Sequence, residues 1–404
     1  MLQNQQIPVA GVDLFDYRQT QNMWRTTAQW RRESPIVRLK TGQIYLSRWA
    51  DCWTVLRDPE TFANGNGFKA VEMPDEERML GEMDPPRHPE IRRVMRQSFD
   101  KKSVEAERPF AWAEAEGLLA GLPREGPVDL IARFTDQISN LVSFHLLGFP
   151  LEDCEQIVTW VRELLHSEWP EKNRTDRGQG LAGAFPEFSA YLDRLVDARR
   201  GLSEPEDLVG RLVNSRLGGE ILPATVLRAL TAHVVLGGIS TTTNLLGSLL
   251  LRILQDDALH ARLRSDPELI PSAVEESLRL DPPVLFLMRV CQRATEVSGV
   301  ALEKGQSVLV GIASANRDEA VFESPDAFRL DRGLPRHISF SGGAHHCIGA
   351  GLARVVAEEA VGAFVGSLSS SDVQLAPDFR YEGVPVFLEY GPERLDVEIA
   401  QRRT

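Results

Sequence analysis

The most informative stretch of the sequence is Phe340-Ser-Gly-Gly-Ala-His-His-Cys-Ile-Gly349. Glycines crowd the approach to Cys347, and an apolar helical pattern rich in Ala, Leu and Val follows from Leu352. A cysteine just before a helix can have its thiolate stabilised by backbone N–H groups and by the helix dipole. The glycines permit a tight loop that presents the sulfur to a large flat ligand. Two alternatives stay open at this point: an inert buried cysteine, or a zinc site formed with His345 and His346, for which no further ligands are visible in the sequence.

The composition is that of an ordinary globular protein, with 404 residues of which 43% are hydrophobic and 25% charged. The 45 Lys and Arg residues against 58 Asp and Glu give a formal net charge of −13, which argues against nucleic acid or an anionic membrane as the main partner. The 4 cysteines lie far apart without a CxxC pair, which excludes a disulfide scaffold and a cysteine-rich zinc site. Because the N-terminus has no basic region followed by an apolar run, we expect a soluble, cytoplasmic protein.

The remaining patterns predict one large, mainly helical domain over residues 1–404 with minor β structure. Two short β patterns, Pro35–Leu39 and Gln43–Ser47, flank a Lys-Thr-Gly turn and predict a hairpin. This hairpin belongs to a small β-rich part, about residues 35–70, that we expect to pack on a helical body. Helical spacing is found in three further segments: Trp49–Asp58, Pro127–Leu147 and Leu151–His166.

One segment, Ala232–Leu251, contains no formally charged residue if its histidine is neutral. At about 1.5 Å per residue it is long enough to cross a bilayer. Its middle, Gly237-Gly-Ile-Ser-Thr-Thr-Thr-Asn244, is too polar and too rich in glycine for a helix that faces lipid. We therefore predict a buried central helix. Either its glycines and hydroxyls let a ligand approach the backbone, or it is a plain core helix that contains threonine.

The cysteine stretch resembles the haem-binding loop of cytochrome P450 enzymes, whose usual pattern is Phe-Gly-x-Gly-x-His/Arg-x-Cys-x-Gly. Three further motifs resemble that family in order and spacing, namely the Glu-x-x-Arg pair in Glu276–Arg279, the central-helix groove beside the iron in Gly237–Thr241, and the His-x-x-x-Arg segment in Asp84–Arg92. The likeness spans residues 35 to 399, approximately. It implies a mainly α fold with a minor β part, in which haem b is buried between a long central helix and the cysteine-ligand loop.

The resemblance makes Cys347 the ligand of the haem iron, because a thiolate pushes electron density onto iron and favours O–O cleavage. It also implies that four side chains bind the carboxylates of the haem propionates: His88, Arg92, Arg289 and His345. Arginine suits this task because its planar guanidinium presents a fork of hydrogen-bond donors. The other predicted haem contacts are Phe340, Gly349 and Gly238. Glu276 and Arg279 lie on one helix face and can pair. In the family this pair is structural and holds the meander ahead of the cysteine loop.

The sequence departs from the family pattern at the acid–alcohol pair that relays protons in the central helix. Thr241 matches the alcohol, whereas Ser240 stands at the acid position and cannot supply the charge or the pKa of a carboxylate. Thr241 and Ser240 are the predicted catalytic residues. They relay protons through ordered water, or the hydroxyl or amine of the substrate completes the relay, or the enzyme couples or desaturates its substrate without inserting oxygen. We place insertion of one oxygen atom of O2 into a C–H bond first and oxidative C–C or C–O coupling second. A non-catalytic haem-binding sensor is the rival from a different class.

A second departure is Ser341, which replaces the usual first glycine of the loop and is expected to fit at a negative φ. The predicted pocket is mainly apolar and implies a small hydrophobic substrate of the natural-product kind, as in secondary metabolism: Ile239, Val284, Leu285, Phe286, Leu287, Leu388 and Glu389, with the segment near Asn66–Glu72. We expect Glu389 to point to solvent, with anchoring of a polar substrate as the alternative. The segment Leu164–Gly183 is expected to be a mobile lid.

Electrons must come from another protein, because the sequence has no Rossmann fingerprint and no ferredoxin-like run of cysteines. By resemblance, a ferredoxin and a ferredoxin reductase are expected. Docking on the cysteine side of the haem is attributed to a basic patch made of Arg92, Arg93, Arg96, Lys101, Lys102 and Arg354. Nothing in the sequence indicates a dimer, so we expect a monomer.

Overall fold

The computed structural model describes residues 7–13, 16–64, 74–166, 180–202, 207–333 and 335–400. The predicted pocket segment Asn66–Glu72 and most of the predicted lid Leu164–Gly183 lie outside these ranges. The mainly α fold with a minor β part is confirmed.

The α-helices of the described ranges, in chain order, are α1 (Tyr17–Thr20), α2 (Trp24–Glu33), α3 (Trp49–Arg57), α4 (Arg87–Ser98), α5 (Lys101–Glu105), α6 (Arg108–Ala120), α7 (Asp136–Leu147), α8 (Cys154–His166), α9 (Gly180–Ala184), α10 (Pro186–Arg199), α11 (Leu208–Val213), α12 (Ala224–Gly238), α13 (Ser240–Gln255), α14 (Asp257–Ser265), α15 (Ile270–Leu280), α16 (Ile312–Ala315) and α17 (Ala350–Ser367). A π-helical turn, Ile131–Thr135, precedes α7. Helix α17 packs against α6, α13, α15 and α7, and these helices surround the largest hydrophobic core.

The strands are β1 (Val9–Ala10), β2 (Ile36–Leu39), β3 (Ile44–Leu46), β4 (Phe62–Ala63), β5 (Val128–Asp129), β6 (Arg216–Leu217), β7 (Glu220–Ile221), β8 (Leu287–Cys291), β9 (Thr295–Val297), β10 (Val300–Leu302), β11 (Ser307–Val310), β12 (Val373–Leu375) and β13 (Asp396–Ile399). The main sheet has the order β1-β2-β3-β11-β8-β4. Strand β11 pairs parallel with β3, with Leu309 opposite Tyr45, and antiparallel with β8, with Leu309 opposite Met288. The β-rich part therefore combines strands from both ends of the chain.

The predicted hairpin is confirmed, since β2 and β3 pair antiparallel with Val37 opposite Tyr45. The prediction of one helix over Pro127–Leu147 is wrong at its start. There β5 pairs antiparallel with β13, and Asp129 accepts hydrogen bonds from the backbone N–H groups of Ile131 and Leu395 at 3.0 Å each. A partner more than 260 residues away along the chain thus decides this strand, and helical spacing carries no information about it.

The uncharged central segment forms two helices in line, α12 and α13, that meet at Ile239 with φ −84° and ψ −76°. The run Ala224–Gln255 is apolar and long enough to cross a membrane, but 67% of its most apolar window is buried inside the protein. Neighbouring helices cover it on several sides, α7, α15 and α17 among them. The segment is a core helix, as its polar middle predicted.

Candidate active site

A cavity of about 440 Å³ lies between the α12–α13 junction and the loop that carries Cys347. Most of the predicted site residues line it, although they come from positions between 88 and 349 of the chain: His88, Arg92, Gly238, Thr241, Val284, Leu287, Arg289, Phe340, His345, Cys347 and Gly349. Its size lies within the range of small-molecule sites. The fold therefore brings the thiol, the threonine hydroxyl and the cations to one cavity.

Cys347 ends a tight loop that is closed by a 2.8 Å hydrogen bond from its own N–H to the carbonyl of Phe340. Gly343 has φ +63°, and a Cβ there would lie 2.5 Å from the carbonyl oxygen of Leu56, so only glycine fits. The thiol faces the cavity. Surrounding protein raises its pKa by burial, whereas the N–H of Gly349 and the charge of Arg92 act in the opposite direction. The loop holds the sulfur at the cavity wall.

Ser341 of this loop has φ +63°, so the expectation of a negative φ is wrong. The left-handed conformation costs a residue with a Cβ about 1–2 kcal/mol, and the glycine usual at this position avoids that cost. The Ser341 Oγ is buried and has no hydrogen-bond partner among the described residues. The loop nevertheless closes with serine at this position.

His88, Arg92, Arg289 and His345 form a cluster of nitrogen donors at one end of the cavity. The His88 and His345 rings contact each other at a tilt of 32°, with centroids 3.9 Å apart. Burial and the charges of Arg92 and Arg289 lower the pKa of His88 to about 4, and burial lowers the pKa of Arg289 to about 10. Both ring nitrogens of His88 are buried without a hydrogen-bond partner in the described residues.

Such a cluster fits a ligand that carries carboxylates. An anion would offset the crowded positive charge and accept the hydrogen bonds that His88 leaves unmade. With a cysteine thiol in the same cavity, the donor set fits a haem: the thiolate for the iron, and the cations for the two propionates. Arg92 also donates to the carbonyl of His346, which ties the cluster to the cysteine loop.

The opposite wall is the α12–α13 junction, where two glycines lie side by side. A Cβ on Gly237 would meet nothing within 4 Å, whereas one on Gly238 would lie 3.2 Å from the Ser143 Oγ. The Thr241 Oγ1 donates to the Gly237 carbonyl at 2.8 Å and lines the cavity. This wall carries the side chains of Thr241 and Thr242 next to a break between two helices.

Four predicted pocket residues do not line this cavity: Ile239, Leu285, Phe286 and Leu388. The reason is clearest where β8 begins, because successive side chains of a strand point to opposite faces. Leu287 and Arg289 face the cavity, whereas Phe286 is 1% exposed and Met288 packs on the other face of the sheet. Leu285 and Phe286 precede the strand and are buried in the core on that other face, whereas Val284 lines the cavity. Ile239 is buried in the main core.

Glu389 is not a solvent-facing residue, and it does not line the cavity either. It is 6% exposed, and its carboxylate accepts hydrogen bonds from the Ser240 Oγ at 2.9 Å and from the Asn244 Nδ2 at 2.8 Å. Its backbone carbonyl accepts from the Gln21 Nε2 at 2.9 Å. Ser240 is likewise absent from the cavity wall, because its hydroxyl is turned to Glu389.

Several further residues line the cavity without being indicated by any of the sequence motifs, namely Leu80, Gly81, Ser143, His233, Val234 and Leu245. His233 could have been predicted, because it precedes Gly237 by four residues and therefore lies on the same helix face. The others lie on separate elements, and no pattern around them marks them as part of a site.

Glu276 and Arg279 pair as predicted, with two hydrogen bonds of 2.8 Å, and both side chains are at most 1% exposed. Arg279 also donates to the carbonyls of Asn316, Pro325 and Ala327, which lie in the stretch ahead of the cysteine loop. The predicted structural role is confirmed.

Arg354, by contrast, does not contribute a free charge to the predicted basic patch. It forms an ion pair with Glu275, and its guanidinium lies 4.5 Å from the centre of the Phe340 ring. Arg354 therefore braces the cysteine loop.

Comparison with known proteins gives a match to the family model described as Cytochrome P450 over residues 5–365. The chain is 31% identical to the polyketide biosynthesis cytochrome P450 PksS of Bacillus subtilis over 399 residues, covering 94% of this chain and 96% of that protein. It is 33% identical to the vitamin D(3) 25-hydroxylase of Pseudonocardia autotrophica, covering 87% of each. The structure of cytochrome P450 CYP109Q5 from Chondromyces apiculatus superposes with a TM-score of 0.85 at 26% identity, covering 97% of this chain and 99% of that one.

Proposed function

The chain belongs to the cytochrome P450 family of haem-dependent oxidoreductases, and on that premise we propose that it inserts one oxygen atom of O2 into a C–H bond of a small, mainly apolar substrate. The observation that carries this proposal is the cavity that joins Cys347 on one wall to Thr241 and Gly238 on the other, with His88 and Arg289 at one end. The relative from Pseudonocardia, named a hydroxylase, supports the same type of reaction.

Within this proposal Cys347 holds the haem iron, and His88, Arg92, Arg289 and His345 hold the propionates, with Phe340, Gly349 and Gly238 against the ring. The bound haem supplies the chemistry that activates dioxygen. Gly237 leaves room beside the helix for small reactants, since a Cβ there would meet nothing within 4 Å. Thr241 holds a proton at Oγ1 on the cavity wall; its hydroxyl donates to the Gly237 carbonyl and can turn to donate to a reactant instead.

The proposed substrate is a hydrophobic natural-product-like molecule. The cavity is lined largely by apolar side chains such as Leu80, Val234, Leu245, Val284 and Leu287. His233 offers one polar contact in this lining. The relative named for polyketide biosynthesis is similar over nearly the whole chain, which supports a substrate from secondary metabolism.

Electrons are proposed to come from a ferredoxin and its reductase in the cytoplasm, with the enzyme acting as a monomer. Four basic residues of the patch remain exposed once Arg92, which lines the cavity, and Arg354 are set aside, and they support a docking surface for an acidic partner: Arg93, Arg96, Lys101 and Lys102.

The test is an optical titration of the purified haem protein against a chemically diverse natural-product library, followed by turnover of each hit with NAD(P)H, a ferredoxin and a reductase. Loss of the thiolate-type spectrum of the reduced carbon monoxide complex in Cys347→His, with the spectrum kept in Cys154→Ser, is expected. Products heavier than the substrate by one oxygen atom, labelled by ¹⁸O2, support insertion. A protein that binds ligands but never consumes NAD(P)H supports the sensor instead.

Oxidative coupling stays the second prediction. The sequence favours coupling only because position 240 has a serine in place of a carboxyl group. The Glu389 carboxylate, hydrogen-bonded to Ser240, reduces this support because it brings a carboxyl group to the same place. Coupled or cyclised products without ¹⁸O, from hits confined to aromatic peptides or bis-phenols, would favour coupling.

A further inference from the structure

Glu389 is a buried carboxylate that contacts the residue at the acid position of the central helix. Its partners Ser240 and Asn244 are four residues apart and share one face of α13. Glu389 reaches them from a turn near the C-terminus, about 150 residues away along the chain. A charge is rarely buried without a cation or a function. Within the described residues, no Lys, Arg or His pairs with this carboxylate.

We propose that Glu389 replaces the missing acid of the central helix, holding a proton at its carboxyl group and delivering it through the Ser240 hydroxyl toward the cavity. The proposal rests on the function proposed above, because oxygen insertion consumes two electrons and two protons for each O2, with one oxygen atom leaving as water. Those protons must cross an apolar wall. A carboxyl group behind that wall, one hydrogen bond from Ser240, is placed to supply them.

The hydrogen-bond pattern decides which oxygen carries the proton. The amide N–H of Asn244 can only donate, so it fixes Oε2 of Glu389 as an acceptor. In the ionised form Oε1 accepts from the Ser240 hydroxyl at 2.9 Å; in the protonated form the proton lies on Oε1 and this hydrogen bond reverses, so that Glu389 donates to Ser240. A hydroxyl group both donates and accepts, so Ser240 can take a proton from Oε1 while it passes its own proton on.

The surroundings keep the carboxyl group in place and favour its protonated form. Gly391 allows the turn to approach α13, since a Cβ there would lie 2.7 Å from the Asn244 Oδ1. Burial raises the pKa of Glu389, although the hydrogen bonds from Ser240 and Asn244 act in the opposite direction. Because Asn244 stays bonded in either charge state, loss of the proton changes only the bond to Ser240.

The charged groups near this turn interact with residues other than Glu389. Arg252 forms an ion pair with Asp281, and Arg317 lies 3.6 Å from the same carboxylate. Tyr381, the nearest titratable group on the Gln21 side, is 3.4 Å from the Gln21 Oε1. Burial raises the pKa of Tyr390, so this side chain stays neutral at physiological pH.

The step moves one proton and no electrons. Glu389 gives its Oε1 proton to the Ser240 Oγ as Ser240 releases its hydroxyl proton toward the Thr241 side of the junction. The Glu389 carboxylate then regains a proton from solvent before the next turnover. The two electrons come from the redox partner, as in the proposed function.

The test compares the haem-loaded wild type with Glu389→Gln, which keeps the shape and hydrogen bonding of the side chain and removes the titratable proton. The matched control is Glu393→Gln, the same change at an exposed position of the same turn. Infrared spectra of the resting proteins at pH 7 should show the C=O stretch of a protonated carboxyl group in the wild type and in the control, and its loss in Glu389→Gln. This readout needs no turnover.

The second measurement is the ratio of product formed to NAD(P)H consumed. We expect Glu389→Gln to lower this ratio about tenfold. Adding Ser240→Asp, which places a carboxyl group directly on the helix, should restore most of it. An unchanged ratio in Glu389→Gln, or a resting wild type without the infrared band, overturns the proposal. If the wild type gives the band but no oxygenated product from any hit, the proposed function fails while the protonated Glu389 stands.

Discussion

At the scale of single residues, the cavity wall combines the Cys347 thiol, several hydroxyls including that of Thr241, and a cluster of two arginines and two histidines. Each of these groups is ordinary alone, and an isolated arginine is usually a solvated surface charge. Arg289 differs because β8 directs its side chain into the cavity, where burial lowers its pKa to about 10. The chemistry of the site therefore depends on where the fold places these groups and on how little water reaches them.

Replacing Thr241 with alanine should uncouple NAD(P)H consumption from product formation, because it removes the hydroxyl of the cavity wall beside the helix break. General acid–base groups contribute rate factors of about 10² to 10⁴, so a fall in coupling of about tenfold or more is expected. The ratio of product to NAD(P)H and the hydrogen peroxide released would be measured. Thr231→Ala is the control, since Thr231 makes the same bond to the carbonyl four residues earlier but lies off the cavity. Equal coupling in both variants would remove Thr241 from the relay.

Glu275 should make the free energy of unfolding depend on pH in the acidic range. Burial acts to raise the pKa of Glu275, but hydrogen bonds from His337 and Arg354 outweigh it and lower the pKa from 4.5 to about 2. Between these two values the unfolded chain binds more protons than the folded chain, so the free energy of unfolding falls as the pH drops from 4.5 toward 2. A shift of this size corresponds to stability on the order of 3 kcal/mol.

Urea unfolding between pH 6 and pH 3 measures this effect. The wild type should lose stability more steeply below pH 4.5 than Glu275→Gln. Glu358→Gln, another half-buried acid that pairs with an arginine, serves as the control. Parallel curves for the wild type and Glu275→Gln would contradict the assignment.

At the scale of elements, the position of each helix or strand follows from how its buried face is covered. The hairpin β2–β3 could be predicted, because its turn residues and alternating pattern are local. The strand β5 could not, because its partner β13 lies near the other end of the chain. The same limit explains the pocket, where the alternation of β8 sends Leu287 inward and Phe286 into another core.

The Glu276–Arg279 pair belongs to this scale, since it joins α15 to the stretch before the cysteine loop. Arg279→Leu should lower the free energy of unfolding by about 3–5 kcal/mol, because it leaves a buried carboxylate short of a partner and the carbonyls of Asn316 and Pro325 without the donor they have in the wild type. The yield of folded, haem-loaded protein and its thermal midpoint would be measured. Arg329→Leu, which breaks the exposed pair with Asp331, should cost less than about 1 kcal/mol. An equal loss of unfolding free energy in the two variants would show that the buried pair stabilises the protein no more than an exposed pair does.

At the scale of the whole molecule, the charge is unevenly distributed. The formal net charge is −13, yet Arg93, Arg96, Lys101 and Lys102 lie exposed within ten residues of one another along the chain. A local basic patch on an acidic protein can orient an acidic partner while the rest of the surface repels it. Long-range steering of this kind is screened by salt.

Arg96→Glu should slow reduction of the haem protein by a reduced ferredoxin about tenfold at low ionic strength, and the difference should shrink at about 0.5 M salt, where the Debye length is only a few ångströms. Stopped-flow reduction over a range of salt concentrations measures this. Arg380→Glu makes the same charge change at an exposed residue of the C-terminal turn and should have little effect. A reduction rate that does not vary with ionic strength would count against the patch.

The mainly α fold, the cysteine-ligand loop, the helical pair Glu276–Arg279 and the hydroxyl at Thr241 could be predicted from the sequence. Each rests on a short motif within one loop or one helix, and the order and spacing of these motifs resemble the cytochrome P450 family. Only the tertiary structure decided which side chains reach the cavity, that Ser341 adopts a positive φ, and that Arg354 is bound by Glu275. It also brought Glu389 to Ser240 across about 150 residues of chain. Contacts of that kind depend on how helices and strands pack, and no local pattern encodes them.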